Sequence, residues 1–540
     1  MNRLKIFAIA LFMAFTGGLQ AQPKATVAPR ETFNNPILPG FHPDPSICRV
    51  GDDYYLVNSS FTWYPGIPIY HSKDLVNWEL IGHAIDRPDM VNLDGLDDNN
   101  GIWAVTIREH DGLFYLITTC NKAGGNFYLT AKDPAGPWSD PIWLPDAPGI
   151  DPSLFWDDDG RCYYTGNTWD FKKDWPSQCA VWMQELDLKQ QKLVGERKLL
   201  AYGHANNAAF AEGPHIYKID GKYILLMAEG GSSPNHAVTV FQSDKLWGPY
   251  VAGKVNPVIT HRHLGKDYPI QGLGHADLVQ TPQGDWWSVL LGFRMLDGYD
   301  PLARETFLCQ VDFEDGMPIY NKGEGKVLLE QQRPDLPWTP VKPPVTQDEF
   351  EGDSLAATWY SVRIPNKKSI SLSDGQLHVK LEPEVIDSLG TSAMLLQKTR
   401  DHRFTASTKL EFKLNANNEE AGMVYYRTAN AYYSLMCNSQ GVALYRKDLG
   451  KKELIQQLPY QGEEVYLQLD VDGLDVQFSF GASPDQLQAI GGMQSASVIS
   501  SNKLNKFNGA GVGVYATSQG KASTHIARYD WFRYQGMDKK

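Results

Sequence analysis

Short apolar and aromatic runs separated by Gly/Asp turns occupy most of the chain, and few stretches carry the 3.6-residue period of a long helix. Five of these runs are alike: GDDYYLV from Gly51, DGLFYLI from Asp111, DGRCYYT from Asp159, DGKYILL from Asp220 and QGDWWSV from Gln283. Each is a tight turn leading into a strand, so each predicts a hairpin. The turn glycines Gly51, Gly112, Gly160, Gly221 and Gly284 recur every 48 to 63 residues. That interval suits one four-stranded sheet per repeat and predicts a five-bladed β-propeller.

The repeat also has a phase. Nine residues before Gly112, Gly160, Gly221 and Gly284 stand Trp103, Asp151, Glu212 and His275, and Asp44 stands seven before Gly51, where the turn is shorter. Equivalent positions in successive blades occupy equivalent places around the central axis. These five side chains are therefore expected to converge near one end or the interior of a single channel. Past about Val327 the pattern stops. Pro334, Pro337, Pro340, Pro343 and Pro344 mark residues 329–345 as a stiff linker. Over 346–538, alternating segments such as Thr408–Phe412 and Val465–Leu469 predict half-buried antiparallel strands of a second domain, a β-sandwich. The expected architecture is all-β, with the propeller over residues 30–328.

Composition narrows the class of partner. Aromatic residues make up 12% of the 540 residues, with 15 Trp and 26 Tyr, enough both to fill β-cores and to face sugar rings. The net charge is −13 and no basic run appears, which disfavours nucleic acid and anionic membranes and suits a neutral substrate. Arg3 and Lys5, the apolar stretch Ile6–Phe15 and the small-residue site Leu19-Gln20-Ala21 read as a signal peptide over residues 1–21. Export to the periplasm or medium is expected, without membrane insertion, because the apolar stretch is too short to span a bilayer. Six scattered cysteines within apolar runs predict buried thiols, and no Cys/His cluster points to zinc.

The candidate chemistry lies in three similar frames: HPDPS around Asp44, GIDPS around Asp151 and AEGPH around Glu212. One Asp beside Pro is an ordinary turn former. Three carboxylates at equivalent repeat positions, all facing one axis, are a site. Confined carboxylates repel and their pKa values separate, so that one acid stays protonated while another stays ionised. Glycoside hydrolysis needs that division.

The segment Asn35–Ser46, NPILPGFHPDPS, resembles the opening signature of family 43 glycoside hydrolases, and the Asp151 and Glu212 frames are similar to that family's other two signatures. The resemblance runs from about residue 33 to 538. It implies a five-bladed propeller, inversion at the anomeric carbon, Asp44 as general base, Glu212 as general acid, and Asp151 tuning and orienting Glu212. It further implies an aromatic pocket wall at Phe61 and Trp63 and a substrate-contacting Arg304. Trp103 carries over alone, because Val105 and Thr106 depart from the Trp-Ala-Pro-Asp segment common in the family. His275 matches a histidine that often sits beside a water-coordinated calcium, which would be structural, since the chemistry requires no cofactor; a buried histidine bonded to the carboxylates is the alternative. The second domain resembles the concanavalin-like domain of the β-xylosidase branch, in which Phe507 is the candidate for an aromatic lent to the pocket rim. The implied function is an exo-acting hydrolase that releases terminal pentoses from plant hemicellulose oligosaccharides, an α-L-arabinofuranosidase in the first place and a β-xylosidase or bifunctional enzyme in the second. A non-catalytic glycan-binding propeller would lack one carboxylate, and a levan- or sucrose-cleaving enzyme would carry a retaining pair.

Overall fold

The computed structural model describes residues 31–537, so the expected signal peptide lies outside the described residues. Five antiparallel sheets follow one another along the first part of the chain. Their innermost strands are Ser46–Val50, Thr106–His110, Ser153–Trp156, Glu212–Ile219 and Ile270–Gln280. Each inner strand turns into the next through one of the five repeat glycines, all of which have positive φ, a conformation that costs Gly no Cβ clash. Neighbouring inner strands pack against each other in chain order, and the first packs against the fifth, so the sheets close a ring. This is the β-propeller. In the second sheet the inner edge is split into Gly101–Ile102 and Thr106–His110, both paired with Leu113–Asn121, and Trp103 stands in the gap.

The ring is closed by chain ends far apart in sequence. Thr32–Asn34 pairs with Glu330–Gln332, and the Asn35 amide donates to the carbonyls of Leu308 and Leu328 at 2.9 and 3.0 Å. Residues 330–332, expected in the linker, are thus a strand attached to the propeller. The prolines that follow do not bridge open space either. Leu336 is buried in the same cluster as Trp287, and the Thr339 amide donates to Asp74 Oδ2 at 2.9 Å. Proline fixes φ, but long-range hydrogen bonds decide where the stiff segment lies.

The second domain is a sandwich of an eight-stranded and a six-stranded sheet, with Phe404, Leu435, Phe478 and Val514 in the core between them. All six cysteines are buried and unpaired. The domains share more than a tether. Ser361–Val362 pairs with Trp63–Tyr64, and Phe41, Phe61 and Trp63 join Tyr360, Leu396, Tyr426 and Tyr515 in one apolar cluster. Buried Asp98 of the propeller receives the Arg363 guanidinium, the Tyr426 hydroxyl and the Ala429 amide of the sandwich. A core shared in this way holds two domains in one orientation. No helix among the described residues is long and apolar enough to cross a membrane.

Candidate active site

The inner strands all begin at the same end of the ring, and there the backbone departs from regular β geometry. Asp44, Asp151 and His275 have φ of 49°, 55° and 49°. Asp tolerates this left-handed region better than most residues do, and in each Asp frame a proline follows to restore the extended chain. At the fourth strand the irregularity falls on Gly213, with φ 56°, inside a register break between Glu212 and His215. His275 likewise lies inside a register break, the one between Gly274 and Asp277. Such breaks turn a side chain away from the sheet face, here toward the axis. Gly213 is also required sterically: a Cβ there would approach the His275 ring to 3.0 Å.

Three buried carboxyls meet in this mouth under different influences. Asp44 Oδ1 receives Arg304 Nη1, Asp44 Oδ2 receives the Ser59 hydroxyl at 2.6 Å, and His275 Nδ1 stands 4.0 Å from Oδ1. Burial alone would raise the Asp44 pKa, but the charges of Arg304 and His275 and the Ser59 bond outweigh it, and the net shift is downward. Burial pushes Asp151 up to about 6, with His275 opposing, Asp44 adding to the rise and a hydrogen bond from the Gly213 amide opposing it. Glu212 is raised well above the usual carboxyl range, first by burial and then by the negative charges of Asp151 and Asp44. One carboxyl is held ionised, one is held protonated, and the third carries charge that widens the difference.

Arg304 organises the wall beside Asp44. Its Nη1 also lies 3.4 Å from Ser232 Oγ, and its Nη2 donates to the Phe507 carbonyl at 3.2 Å. The guanidinium sits 5.6 Å from the ring centres of both Phe61 and Phe507. Phe61 in turn is 6.4 Å from Trp103, and Asn99 ties the group together by receiving the Phe507 amide at 2.5 Å and the Trp103 indole at 2.9 Å. Phe507 thus reaches this wall from the sandwich domain.

Trp63 does not belong to it. Its side chain is 1% exposed and lies between Phe41 and Tyr360, at 5.3 and 5.6 Å, in the core between the domains. Phe61 and Trp63 would share a face in a regular strand. Both rings pack on Phe41, at 5.8 and 5.3 Å, but with left-handed backbone at Phe61, φ 53°, only the Phe61 ring also meets Arg304 and Trp103.

His275 approaches Asp44 beyond hydrogen-bonding range, so its contact there is electrostatic. Among the described residues no three His, Cys, Asp or Glu side chains converge as a metal cage. One imidazole nitrogen is a poor partner for calcium, which prefers oxygen. The residues present do not form a protein cage for that ion.

A second buried cluster, absent from the sequence reading, lies further along the same inner strands. Asp277 accepts the Ser46 hydroxyl at 2.5 Å, the Ile47 amide at 3.0 Å, Arg108 Nη1 and Nη2 at 2.8 and 3.0 Å, the Leu278 amide at 3.0 Å and the Tyr217 hydroxyl. Arg108 Nη2 also donates to His215 Nδ1 at 2.9 Å. The available signal was position: Ser46 and Asp277 stand two residues beyond Asp44 and His275, one layer deeper on the axis.

Comparison with known proteins places these observations in a lineage. Residues 33–318 match the family described as glycosyl hydrolases family 43, and residues 347–535 match the β-xylosidase C-terminal concanavalin A-like domain. A xylosidase/arabinosidase of Butyrivibrio fibrisolvens is 40% identical over 92% of this chain and 98% of its own. A non-reducing end α-L-arabinofuranosidase of Bacteroides ovatus is 37% identical, covering 99% of each chain. Among solved structures, a xylan β-1,4-xylosidase from Bacillus halodurans superposes with a TM-score of 0.88 at 33% identity, over 93% of this chain and 100% of that one.

Proposed function

This chain belongs to family 43 of the glycosyl hydrolases, and on that footing we propose that it is an exo-acting, inverting hydrolase that releases terminal pentoses from plant hemicellulose, foremost as an α-L-arabinofuranosidase. The reading is carried by the placing of Asp44 and Glu212 in one buried mouth whose surroundings push their pKa values in opposite directions. Ionised Asp44 takes a proton from water as that water attacks the anomeric carbon. Protonated Glu212 gives its proton to the departing glycosidic oxygen, and the pair resets through solvent. An inverting course asks for about 6.5–9.5 Å between the two carboxyls, room for the attacking water. Arg304 and Ser59 hold Asp44 in its charged form and fix the direction in which its oxygens point. Asp151 keeps Glu212 protonated. Phe507, brought in by the docked sandwich, narrows the mouth toward a pocket that takes a chain end.

The arabinofuranosidase reading is supported by the Bacteroides ovatus relative and shares ground with the dual-named Butyrivibrio enzyme. β-Xylosidase is the second reading, favoured by the likeness to the Bacillus halodurans xylosidase. Export, resting on residues 1–21, would bring the enzyme to its polymer. Comparison of kcat/KM on 4-nitrophenyl α-L-arabinofuranoside and 4-nitrophenyl β-D-xyloside tests the order of the two readings; a larger value on the xyloside reverses it. Proton NMR of the first-formed sugar tests the mechanism, and an anomer of retained configuration overturns it.

A further inference from the structure

The strands of the third blade run alternately toward and away from the end of the ring that bears Glu212. Both the loop 169–179, after Cys162–Thr168, and the loop 202–211, after Lys192–Ala201, therefore emerge at that end. Among the described residues only four aromatic side chains count as exposed large hydrophobics: Trp169 at 38%, Tyr202 at 41%, Phe210 at 38% and Trp338 at 47%. Three of the four stand on these two loops. Exposed aromatic surface so concentrated marks a binding surface more often than chance.

The loops are tied into one rim. Trp175 donates its indole N–H to the Ala208 carbonyl at 2.7 Å, the Phe210 amide donates to the Ser177 carbonyl at 2.9 Å, and Phe171 stands edge-on to Tyr202 with ring centres 5.4 Å apart. The rim is next to the acid. Phe210 precedes Glu212 by two residues, and its ring lies against Gly231, beside the Ser232 that touches Arg304. At the end of the longer loop, the Cys179 thiol feels the charges of Glu212 and Asp151. The charged residues of the longer loop, Asp170, Lys172, Lys173 and Asp174, cancel in pairs, so the rim suits a neutral ligand.

We propose that Trp169, Tyr202 and Phe210 form a stacking platform for the leaving-group sugars, the neutral rings on the far side of the bond that Glu212 protonates. The proposal rests on the reading of Glu212 as general acid. The departing oxygen must come to Glu212, and the chain attached to it then passes over the adjoining rim, where flat aromatic faces meet the C–H faces of sugar rings.

The test uses the full chain and substrates that share one cleavable pentose: a glycosyl fluoride, whose leaving group has no ring, and oligosaccharides with one, two and three sugars behind the bond. In Trp169→Ala and Tyr202→Ala, kcat/KM on the oligosaccharides should fall roughly 3- to 10-fold per ring removed. The fall should grow with length, reside mainly in KM, and be smallest on the fluoride. Trp169→Phe should recover most of the loss. An equal fall on every substrate, or none on any, overturns the platform. So does a change of oligomeric state by sedimentation with kinetics unchanged, which would make the patch a self-association surface. A wild-type chain that releases pentose from neither series refutes the function itself, and the platform with it. Active wild type with length-independent variants removes the platform alone.

Discussion

Two groups of buried charges share the inner strands of the propeller, two to five residues apart, and they are built in opposite ways. In the deeper one, Asp277 receives six donors and is matched by one guanidinium, Arg108. Burial resists the charge on Asp277, yet Arg108 and the surrounding bonds hold its pKa far below the usual carboxylate range. His215, pushed down to about 3 by burial, stays neutral and accepts from Arg108. In the mouth, three carboxyls face one guanidinium, and only Asp44 receives it. The deeper cluster balances its charge and joins four of the five blades. The mouth is left with surplus negative charge, and that surplus forces the separation of pKa values that acid–base chemistry uses.

The largest expected effect lies in the mouth and concerns rate. Asp44→Ala should lower turnover on every substrate, on the order of 10²–10⁴-fold, because water must be activated whatever leaves. Glu212→Ala should do so on natural linkages and far less on aryl glycosides whose leaving groups need no proton. Steady-state kinetics on both substrate types check this; equal losses in Glu212→Ala would remove the acid role.

Next comes stability in the deeper cluster. Asp277→Ala leaves Arg108 buried and unpaired, which costs about 3–5 kcal/mol. Calorimetry should show a clear fall in Tm for this variant and little for Asp151→Asn. Similar losses for both would erase the contrast between the clusters.

A smaller effect concerns the pH profile. The Asp151 charge helps to raise the Glu212 pKa. Asp151→Asn should move the alkaline limb of the rate profile to lower pH, by about one unit or less, each unit being worth about 1.4 kcal/mol. An unmoved limb would leave Asp151 an orienting role only.

The smallest effect is a pair of opposite slopes. A carboxyl whose folded pKa is raised contributes stability that is present below its unfolded value and lost as pH rises through the folded one. Glu212→Gln should therefore gain on wild type as pH climbs above the ordinary Glu value of 4.5. The deeper cluster runs the other way: the depressed Asp277 contributes stability above its unfolded value of 3.8, lost as pH falls toward the folded one. Thermal melts of wild type and Glu212→Gln across pH check the first sign, and a flat difference contradicts it.

Much of the mouth was legible in the chain because strand and turn are local. The five Gly turns and the residues a constant distance before them specify which side chains begin an inner strand, and the structure brings Asp44, Asp151, Glu212 and His275 to one end as that spacing implies. Trp63 was carried over by resemblance alone, and residue type does not say which aromatic faces the pocket and which fills the seam between the domains, where Trp63 lies against Phe41 and Tyr360. The path of the proline-rich segment was not legible, because proline content reports stiffness but not attachment; the strand Glu330–Gln332 exists only through its pairing with Thr32–Asn34.

The sequence by itself determined the repeat, its phase and the residue types offered to the axis, since these follow from turn chemistry and strand period within a few dozen residues. Tertiary structure decided which of those groups are charged. Arg304 reaches Asp44 from 260 residues away, Phe507 arrives from the other domain, and Asp277 finds Arg108 across the ring. Burial and distant charge set pKa values, and both come into being only when the ring closes and the sandwich docks.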